Sequence, residues 1–428
     1  MAGLASGRLL FRALRSHNYR LFVAGQSVSL IGTWMTRVAT SWLVFRVTHS
    51  AFLLGLTSFA GQIPIFFLTP FAGVWVDRWN RHRALVVTQI LSMVQSFALA
   101  ALALAGIINV WEIIGLMLFQ GVVNAFDMPT RQAFVVQMID RPEDLGNAIA
   151  LNSSMVNGAR LIGPAVAGLI IAGVGEGYCF LIDGISYIAV IASLLAMRVK
   201  PPAARRQRRP MIAELREGWE YVRGSTPIHS VLLLLALVSL VGMPYTVLMP
   251  IFAGSILHGG AHTLGFLMAA AGVGALIGAL TLAMRPSVLG LGKVIVLSAT
   301  LFGAGLIGFG FSRLLWLSYL MVAVAGYGMM RNLASINTIL QTIVSEDKRG
   351  RVMAWYSMAF QGLAPFGSLA AGAIAARIGA PWTIAGGGAL CIAGAGLFAV
   401  RLPTLRRVVR PIYTELGIIP PEAVTPEA

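Results

Sequence analysis

Gly73-Val74-Trp75-Val76-Asp77-Arg78-Trp79-Asn80-Arg81-His82-Arg83 is a dense polar knot tied between two long apolar runs. Its four charges and one histidine cannot lie in hydrocarbon, where an Arg or Asp at the bilayer centre costs roughly 2.5–3.5 kcal/mol even on the mildest scale. The stretch therefore reads as a tight turn at a membrane face, with a glycine, an acid and several bases at fixed offsets. The runs on either side set the solvent for the whole chain. Of 428 residues, 57% are hydrophobic and only 11% charged, with a mean hydropathy of +0.80. A soluble protein carries about 25% charged residues. So little polar surface makes lipid the solvent.

Apolar stretches of about 20 residues, the length that crosses a bilayer, recur twelve times. They lie near 20–46, 52–75, 84–106, 110–138, 150–173, 178–198, 229–253, 263–284, 290–311, 314–344, 351–376 and 382–402. This predicts an all-α membrane protein with twelve transmembrane helices. Most of the 32 lysines and arginines fall on one side of these spans, among them Arg12, Arg20, Arg78, Arg141, Arg198, Arg216, Arg285, Lys348 and Arg406. Arg46, Arg313 and Arg377 lie near the other face. The excess of bases marks the cytoplasmic side, so both termini are expected there. The formal net charge of +16 is spread over every inner loop rather than gathered on one soluble face, which argues against a nucleic-acid partner. The run from Leu21 is too long for the apolar core of a signal peptide and reads as the first span. Cys179 and Cys391 sit in apolar runs and read as small buried residues, offering neither a disulfide framework nor a metal site.

The longest polar interruption, 199–227, separates six spans from six. The expected domains are 1–198, the basic linker 199–227, and 228–428. Within the linker, Ile212, Leu215, Trp219 and Val222 recur at helical spacing. Two readings stand for this amphipathic helix: a seat on anionic lipid at the membrane surface, or a solvated connector. The halves repeat. Gln137, Gly146-Asn147-Ala148-Ile149-Ala150, Gly163 and Gly168 recur in order as Gln341, Gly350-Arg351-Val352-Met353-Ala354, Gly367 and Gly372, as expected for two parallel six-helix halves.

Polar stripes inside the spans must face a protein seam or a watery cavity. The first span carries Gln26, Ser29, Thr33, Arg37 and Thr40; the fourth carries Gln120, Asn124, Asp127 and Arg131. The tenth carries Arg331, Asn332, Ser335, Thr338 and Gln341, and the seventh Ser239, Tyr245 and Thr246. Candidate residues of a substrate cavity are accordingly Gln26, Thr33, Arg37, Gln120, Asn124, Tyr245, Arg331 and Ser335, with Arg160 of the fifth span. Polar glue between helices, worth about 0.6 kcal/mol per contact, accounts for the serines and threonines equally well, but not for arginine. Snorkelling to an interface is the alternative for each arginine. Asp127 and Arg131, four apart on one helix, can pair. Proton coupling needs a group charged in one state and neutral in another, and Asp127 is the one acid placed inside a predicted cavity-lining span. A fixed pair that only steadies the helix is the competing reading. Asp183, a few residues into the sixth span, reads as a structural hydrogen bond to a neighbouring helix. The surplus of arginine over Asp127 points to an anionic or strongly hydrogen-bonding substrate. In the fifth span, Ala159, Gly163 and Ala167 form a small-residue face for close helix approach, and Pro164 bends the helix.

The opening block, Gly73-x3-Asp77-Arg78-x2-Arg81-x-Arg83, resembles the loop between helices 2 and 3 of the major facilitator superfamily. Polar faces on spans 1, 4, 7 and 10 resemble its cavity-lining helices. Gly163-Pro164 with Gly168 resembles the fifth-helix motif of its antiporters, with Ala159 and Ala167 where that motif has Gly. Asn80 stands where the family prefers Gly, and reads as a tolerant residue of a left-handed turn. Asn18-Tyr19-Arg20-Leu21-Phe22, Gly61-Gln62-Ile63-Pro64 and Pro129-Thr130-Arg131-Gln132-Ala133 are similar to the bacterial exporters grouped with the enterobactin exporter and macrolide-efflux proteins. The resemblance implies the major facilitator fold. It also implies a latch of Gly73, Asp77, Arg78, Arg81 and Arg83, in which Asp77 caps the start of helix 11 near Gly350-Arg351 and the bases pair with acids of the same half. Such a latch holds the outward-open state and breaks during transport.

The implied protein is a monomeric secondary transporter of the bacterial inner membrane. It exports a small organic molecule by alternating access against inward proton flow, with protons and membrane lipid as its other partners and no cofactor. An importer, a lysophospholipid flippase, and a non-transporting scaffold or intramembrane enzyme are the alternatives. Gly303-Ala304-Gly305-Leu306-Ile307-Gly308 matches a dinucleotide fingerprint but has no βαβ context, so it reads as close helix packing. No phosphate-binding Gly-x4-Gly-Lys-Ser/Thr, His-Glu-x2-His or Gly-x-Ser-x-Gly stretch occurs, which counts against an enzyme.

Overall fold

The computed structural model describes residues 11–199 and 211–420, leaving the side chains of residues 70, 73–78 and 211–215 outside that description. Among the described residues there is no strand. Twelve long helices follow one another among the described residues: α1 (His17–Thr48), α2 (Ala51–Arg78), α3 (Arg81–Leu104), α4 (Val110–Met138), α5 (Leu145–Val174) and α6 (Glu176–Leu195). Then come α7 (Thr226–Ile256), α8 (Ala261–Ala283), α9 (Leu291–Phe311), α10 (Leu315–Ile343), α11 (Glu346–Ile378) and α12 (Ala380–Glu415). A linker helix, Met211–Gly224, lies between α6 and α7.

Ten of these helices are long and apolar enough to cross a membrane. The two left out are α1 and α10, of 32 and 29 residues, which at 1.5 Å per residue exceed the roughly 30 Å of hydrocarbon. Their polar stripes lower their hydropathy, which leaves them outside a count made on apolarity.

Local chemistry sets several helix ends. Asn109 caps α4 in a reciprocal capping box with Glu112. Asn80 is not in a left-handed turn, as expected from its place in the sequence; its φ of −69° and ψ of 108° are extended, and its side chain accepts from the Arg83 amide at 3.1 Å. It is the N-cap of α3, a position that favours Asn for that hydrogen bond. Helix α11 begins at Glu346, with Ser345 at its N-cap, so Gly350-Arg351 lies in its second turn rather than at its start. Glu346 and Asp347 occupy the first turn, where negative charge suits the helix dipole. Helix α12 runs past the expected end at 402 to Glu415.

Contacts divide the chain into two units, with one border in the linker and the others within α7, α8 and α11 and at the start of α12. One comprises Met1–Arg206, Thr246–Gly272 and Ser368–Ala380; the other comprises Gln207–Tyr245, Val273–Gly367 and Pro381–Ala428. In the first unit α1 packs on α5 and α6, α2 on α4, and α3 on α4 and α6. Tyr19, Phe22, Leu85, Phe134, Met138 and Leu194 form a buried cluster where α1 and α3 begin, and the Tyr19 hydroxyl donates to the Ala148 carbonyl at 2.7 Å. In the second unit α9 and α10 pack along their lengths.

The linker helix docks on α11 within the second unit. Glu217 accepts from Lys348 and, at 2.5 Å, from Arg351; the Trp219 and Trp355 rings lie 4.8 Å apart. Val222 is buried. Protein covers Val222, whereas Trp219 of the same face remains exposed; Ile212 and Leu215 lie outside the described side chains.

Candidate functional site

A buried polar seam runs along α3 in the first unit. Thr88, Gln89, Ser92, Gln95 and Ser96 follow at helical spacing on one face, and all are buried. At one end, the Thr88 hydroxyl (2.8 Å) and the Gln89 amide (2.7 Å) donate to Asp127 Oδ1. Arg131 Nε (3.1 Å) and Nη2 (2.5 Å) donate to Asp127 Oδ2. Both carboxylate oxygens are therefore taken, and a neighbouring cation balances the charge. In the middle, Gln120 donates to the Ser92 hydroxyl at 3.0 Å and to Asn124 Oδ1 at 3.2 Å. At the other end, Ser96 (3.0 Å) and Thr36 of α1 (2.8 Å) donate to Asp183 Oδ2. Asp183 is 1% exposed, and its Oδ1 is enclosed without a partner among the described residues.

The seam thus joins α4, α3, α6 and α1 through two carboxyls of contrasting surroundings. The hydrogen bond expected of Asp183 is present. The α3 stripe was missed in the sequence, although its spacing is as regular as that of spans 1 and 4. It carries no charge, and attention to charged stripes passes over it.

The cavity candidates fall into different settings. Gln26 is buried on α1, and the Thr33 hydroxyl donates to Ser29 O of its own helix at 3.0 Å. Arg37 is exposed although it lies well inside α1. Its guanidinium carbon sits 4.7 Å from the Trp34 ring centroid, and that of Arg160 sits 5.8 Å from the same ring. In the second unit Tyr245 is buried edge-on against Phe302, with centroids 6.0 Å apart. Arg331 donates to the Tyr327 hydroxyl one turn back on α10 and lies 5.5 Å over that ring, with its Nε buried and unpaired. Ser335 is fully buried, its hydroxyl also without a partner among the described residues.

The fifth-helix motif seats α5 between two neighbours. A Cβ on Gly163 would lie 2.5 Å from the Trp34 Cβ and 3.1 Å from Ile31 O on α1. One on Gly168 would lie 2.9 Å from Ala261 O on α8. Only a hydrogen fits at either place. Ala159 is buried on the same helix, and the Pro164 carbonyl faces Gly265 of α8.

Of the expected latch, Arg81 Nη1 donates to the Ala133 carbonyl at 2.9 Å, and the Arg83 side chain is exposed. The Gly73, Asp77 and Arg78 positions lie outside the described side chains, and so does the expected cap on helix 11. Among the described residues no three His, Cys, Asp or Glu side chains gather as a metal site.

The profile of the transmembrane secretion effectors, a family of the major facilitator superfamily, matches residues 10–411. The chain belongs to this family. It is therefore a multi-pass membrane transporter and not an enzyme. It is 25% identical over 355 residues to the staphyloferrin A transporter of Staphylococcus aureus, covering 82% of this chain and 87% of that one. To macrolide efflux protein A of Streptococcus pyogenes it is 25% identical over 365 residues, covering 83% and 89%. Its fold matches the crystal structure of a bacterial homologue of the human lysosomal transporter Spinster, in an inward-facing, unoccupied conformation. The TM-score is 0.68 at 16% identity, covering 92% of this chain and 98% of that one.

Proposed function

We propose that this protein exports a small organic molecule across the bacterial inner membrane by alternating access, driven by inward proton flow. In this reading all twelve long helices span the bilayer, α1 and α10 included, because a polar stripe facing an aqueous cavity carries no lipid penalty. Both termini lie in the cytoplasm, the halves are 1–198 and 228–428, and a monomer suffices. Export is supported by the efflux activity named for the macrolide relative.

The observation that carries proton coupling is the Asp127–Arg131 pair. The acid is buried, with 7% of its side chain accessible, whereas 24% of Arg131 is accessible. A substrate or solvent can thus reach the base but not the acid. Drawing Arg131 away leaves a buried charge without its counter-ion, which is costly, so opening the pair and taking up a proton are linked. Four hydrogen bonds to one carboxylate also favour a second reading, a fixed brace between α3 and α4. The latch of Gly73, Asp77, Arg78, Arg81 and Arg83 belongs to the proposal by resemblance, as the element that breaks between states.

The test uses everted membrane vesicles with an acid lumen. Adding a macrolide or staphyloferrin A is expected to alkalinise the lumen as protons leave in exchange for substrate. A scaffold gives no response, and an importer or lipid flippase gives no substrate-dependent proton release with these solutes.

A further inference from the structure

We infer that Arg37, Arg160 and Trp34 form a binding subsite for an oxyanion, a carboxylate or phosphate group of the transported molecule. The inference deepens the export reading by naming a substrate class, and rests on it only for the fate of what binds.

Trp34 and Arg37 lie one turn apart on α1, and Arg160 lies on α5. The backbone contact at Gly163 presses α5 onto the base of Trp34, so the indole and the two guanidiniums are positioned by one helix crossing. Both cations lean on one ring, at 4.7 and 5.8 Å, within the range of attraction to an aromatic face. Neither makes a hydrogen bond or an ion pair among the described residues.

Arg12, Arg46, Arg81 and Arg131 of this unit are occupied. Arg12 pairs with Asp144, Arg46 with Glu176 and Arg131 with Asp127, and Arg81 donates to the Ala133 carbonyl. The acids near the cluster are also engaged: Asp183 takes its hydrogen bonds from Thr36 and Ser96, and Asp127 from Thr88, Gln89 and Arg131.

Arg37 lies eleven residues before the end of α1 at Thr48, about 16 Å along the axis, which is about half the thickness of the hydrocarbon. Arg37 is an exposed residue at that depth, and its guanidinium folds onto an indole one turn away rather than reaching for an interface. Facing lipid would be heavily penalised, so the accessible surface is an aqueous one. Two unpaired like charges sharing one ring repel each other, and an anion is the group that balances them. Guanidinium forks match planar carboxylates and phosphates in bidentate fashion.

The experiment is a thermal unfolding titration of the full-length protein purified in detergent, with acetate, citrate or inorganic phosphate at ionic strength matched by potassium chloride. Ligand binding raises the unfolding midpoint with concentration. At least one of these anions is expected to raise it beyond the chloride control. Arg37→Gln and Arg160→Gln should each weaken that apparent affinity roughly tenfold, the scale of one lost charge-assisted hydrogen bond. Without ligand both variants should unfold no lower than the parent, because a repelling charge has been removed. If either unfolds early, Arg37→Lys and Arg160→Lys keep the charge and lose the fork, and weaker binding of the same anion is then expected. No shift with any of the three anions, or equal shifts in parent and variants, overturns the subsite. A rise in the midpoint with phosphatidylglycerol in the micelles that Arg37→Gln and Arg160→Gln abolish, with no shift for any soluble anion, assigns the arginines to a lipid headgroup and overturns it as well. Anion binding without lumen alkalinisation in everted vesicles would instead count against export and leave this subsite standing.

Discussion

Helices α1–α6 and α7–α12 share a sequence repeat but differ in what their interiors hold. In α1–α6 the buried polar side chains include three carboxyls, Asp127, Glu176 and Asp183, and the amides of Gln26, Gln89 and Gln95. Among the described residues of α7–α12 they are hydroxyls and the single amide of Asn332. Backbone irregularity is distributed the other way. Wide π turns interrupt α7 at Val238–Gly242 and Phe252–Ile256 and α11 at Met358–Gly362, and none occurs in the described part of α1–α6. The first set carries groups that can bind charge. The second carries helices with built-in bends, where a backbone ladder is already interrupted. Two of the borders between contact units fall at Tyr245–Thr246 and Gly367–Ser368, a few residues beyond two of those turns. The two sets thus differ in kind, buried carboxyls and amides in one and wide backbone turns in the other.

The comparison breaks most readily at Gly163. If α1–α6 are a stiff scaffold for charged groups, Gly163→Leu is not tolerated, because its side chain would have to displace Trp34 and the Ile31 carbonyl. Overpacking of this kind costs about 1–3 kcal/mol or more. Transport should be abolished, measured as substrate uptake into everted vesicles with matched protein levels. A normal rate would mean that α5 is not seated on α1 as described, and the antiporter-like motif would lose its physical meaning.

The next largest effect separates Asp127 from Asp183. Asp127→Asn leaves Arg131 without its counter-ion and should abolish active efflux while retaining counterflow, which needs no proton gradient. Asp183→Asn keeps an oxygen for Thr36 and Ser96 and should hold both activities within about twofold, since those neutral hydrogen bonds are worth only about 1 kcal/mol each. Retained proton-driven efflux in Asp127→Asn would reduce that pair to a brace between α3 and α4. Loss of efflux in Asp183→Asn alone would move the coupling to the other end of the seam.

Much of this was legible in the sequence, and the gaps have physical causes. Helix ends show well where apolar runs stop abruptly, as at Val110–Met138. The start of α11 was missed because Glu346-Asp347-Lys348-Arg349 reads as a charged loop, although Ser345 followed by two acids is also the signature of a helix N-terminus. Apolar length likewise cannot register the basic extension of α12 to Glu415, which is helical without being hydrophobic. Within the site, residue types were readable and convergence was not. Spacing showed that Arg37 lies inside a span, but only the α1–α5 crossing brings Arg160 to the same indole. Spacing showed Asp183 to be buried, but not that Thr36 and Ser96 would meet it.

A smaller effect tests compliance in the second set. The Ser239 hydroxyl donates to the Phe360 carbonyl at 2.9 Å, tying the first π turn of α7 to that of α11. Ser239→Ala removes the donor and leaves a carbonyl without it, a loss of about 1 kcal/mol. The unfolding midpoint should fall by a few degrees and the transport rate should change several-fold, with substrate binding unaltered. If binding changes and rate does not, the π turns line a ligand site rather than absorb a bend.

The smallest expected effect is at the linker. Glu217 holds Lys348 and Arg351 of α11, but 38% of its side chain is accessible and the bases are 27% and 19% accessible. Solvent screens such pairs, which contribute about 0.2–1 kcal/mol each when exposed. The Trp219–Trp355 contact also remains when the acid is removed. Glu217→Gln should therefore lower the unfolding midpoint slightly and leave transport near the parent rate. Its stability should depend less on salt than the parent's, because the screened attraction is gone. That outcome keeps the linker helix as a strap on one set of helices. A transport loss as large as that of Ser239→Ala would instead place the linker among the moving parts, since a weak, solvent-screened pair can control rate only if it forms in one conformational state and breaks in the other.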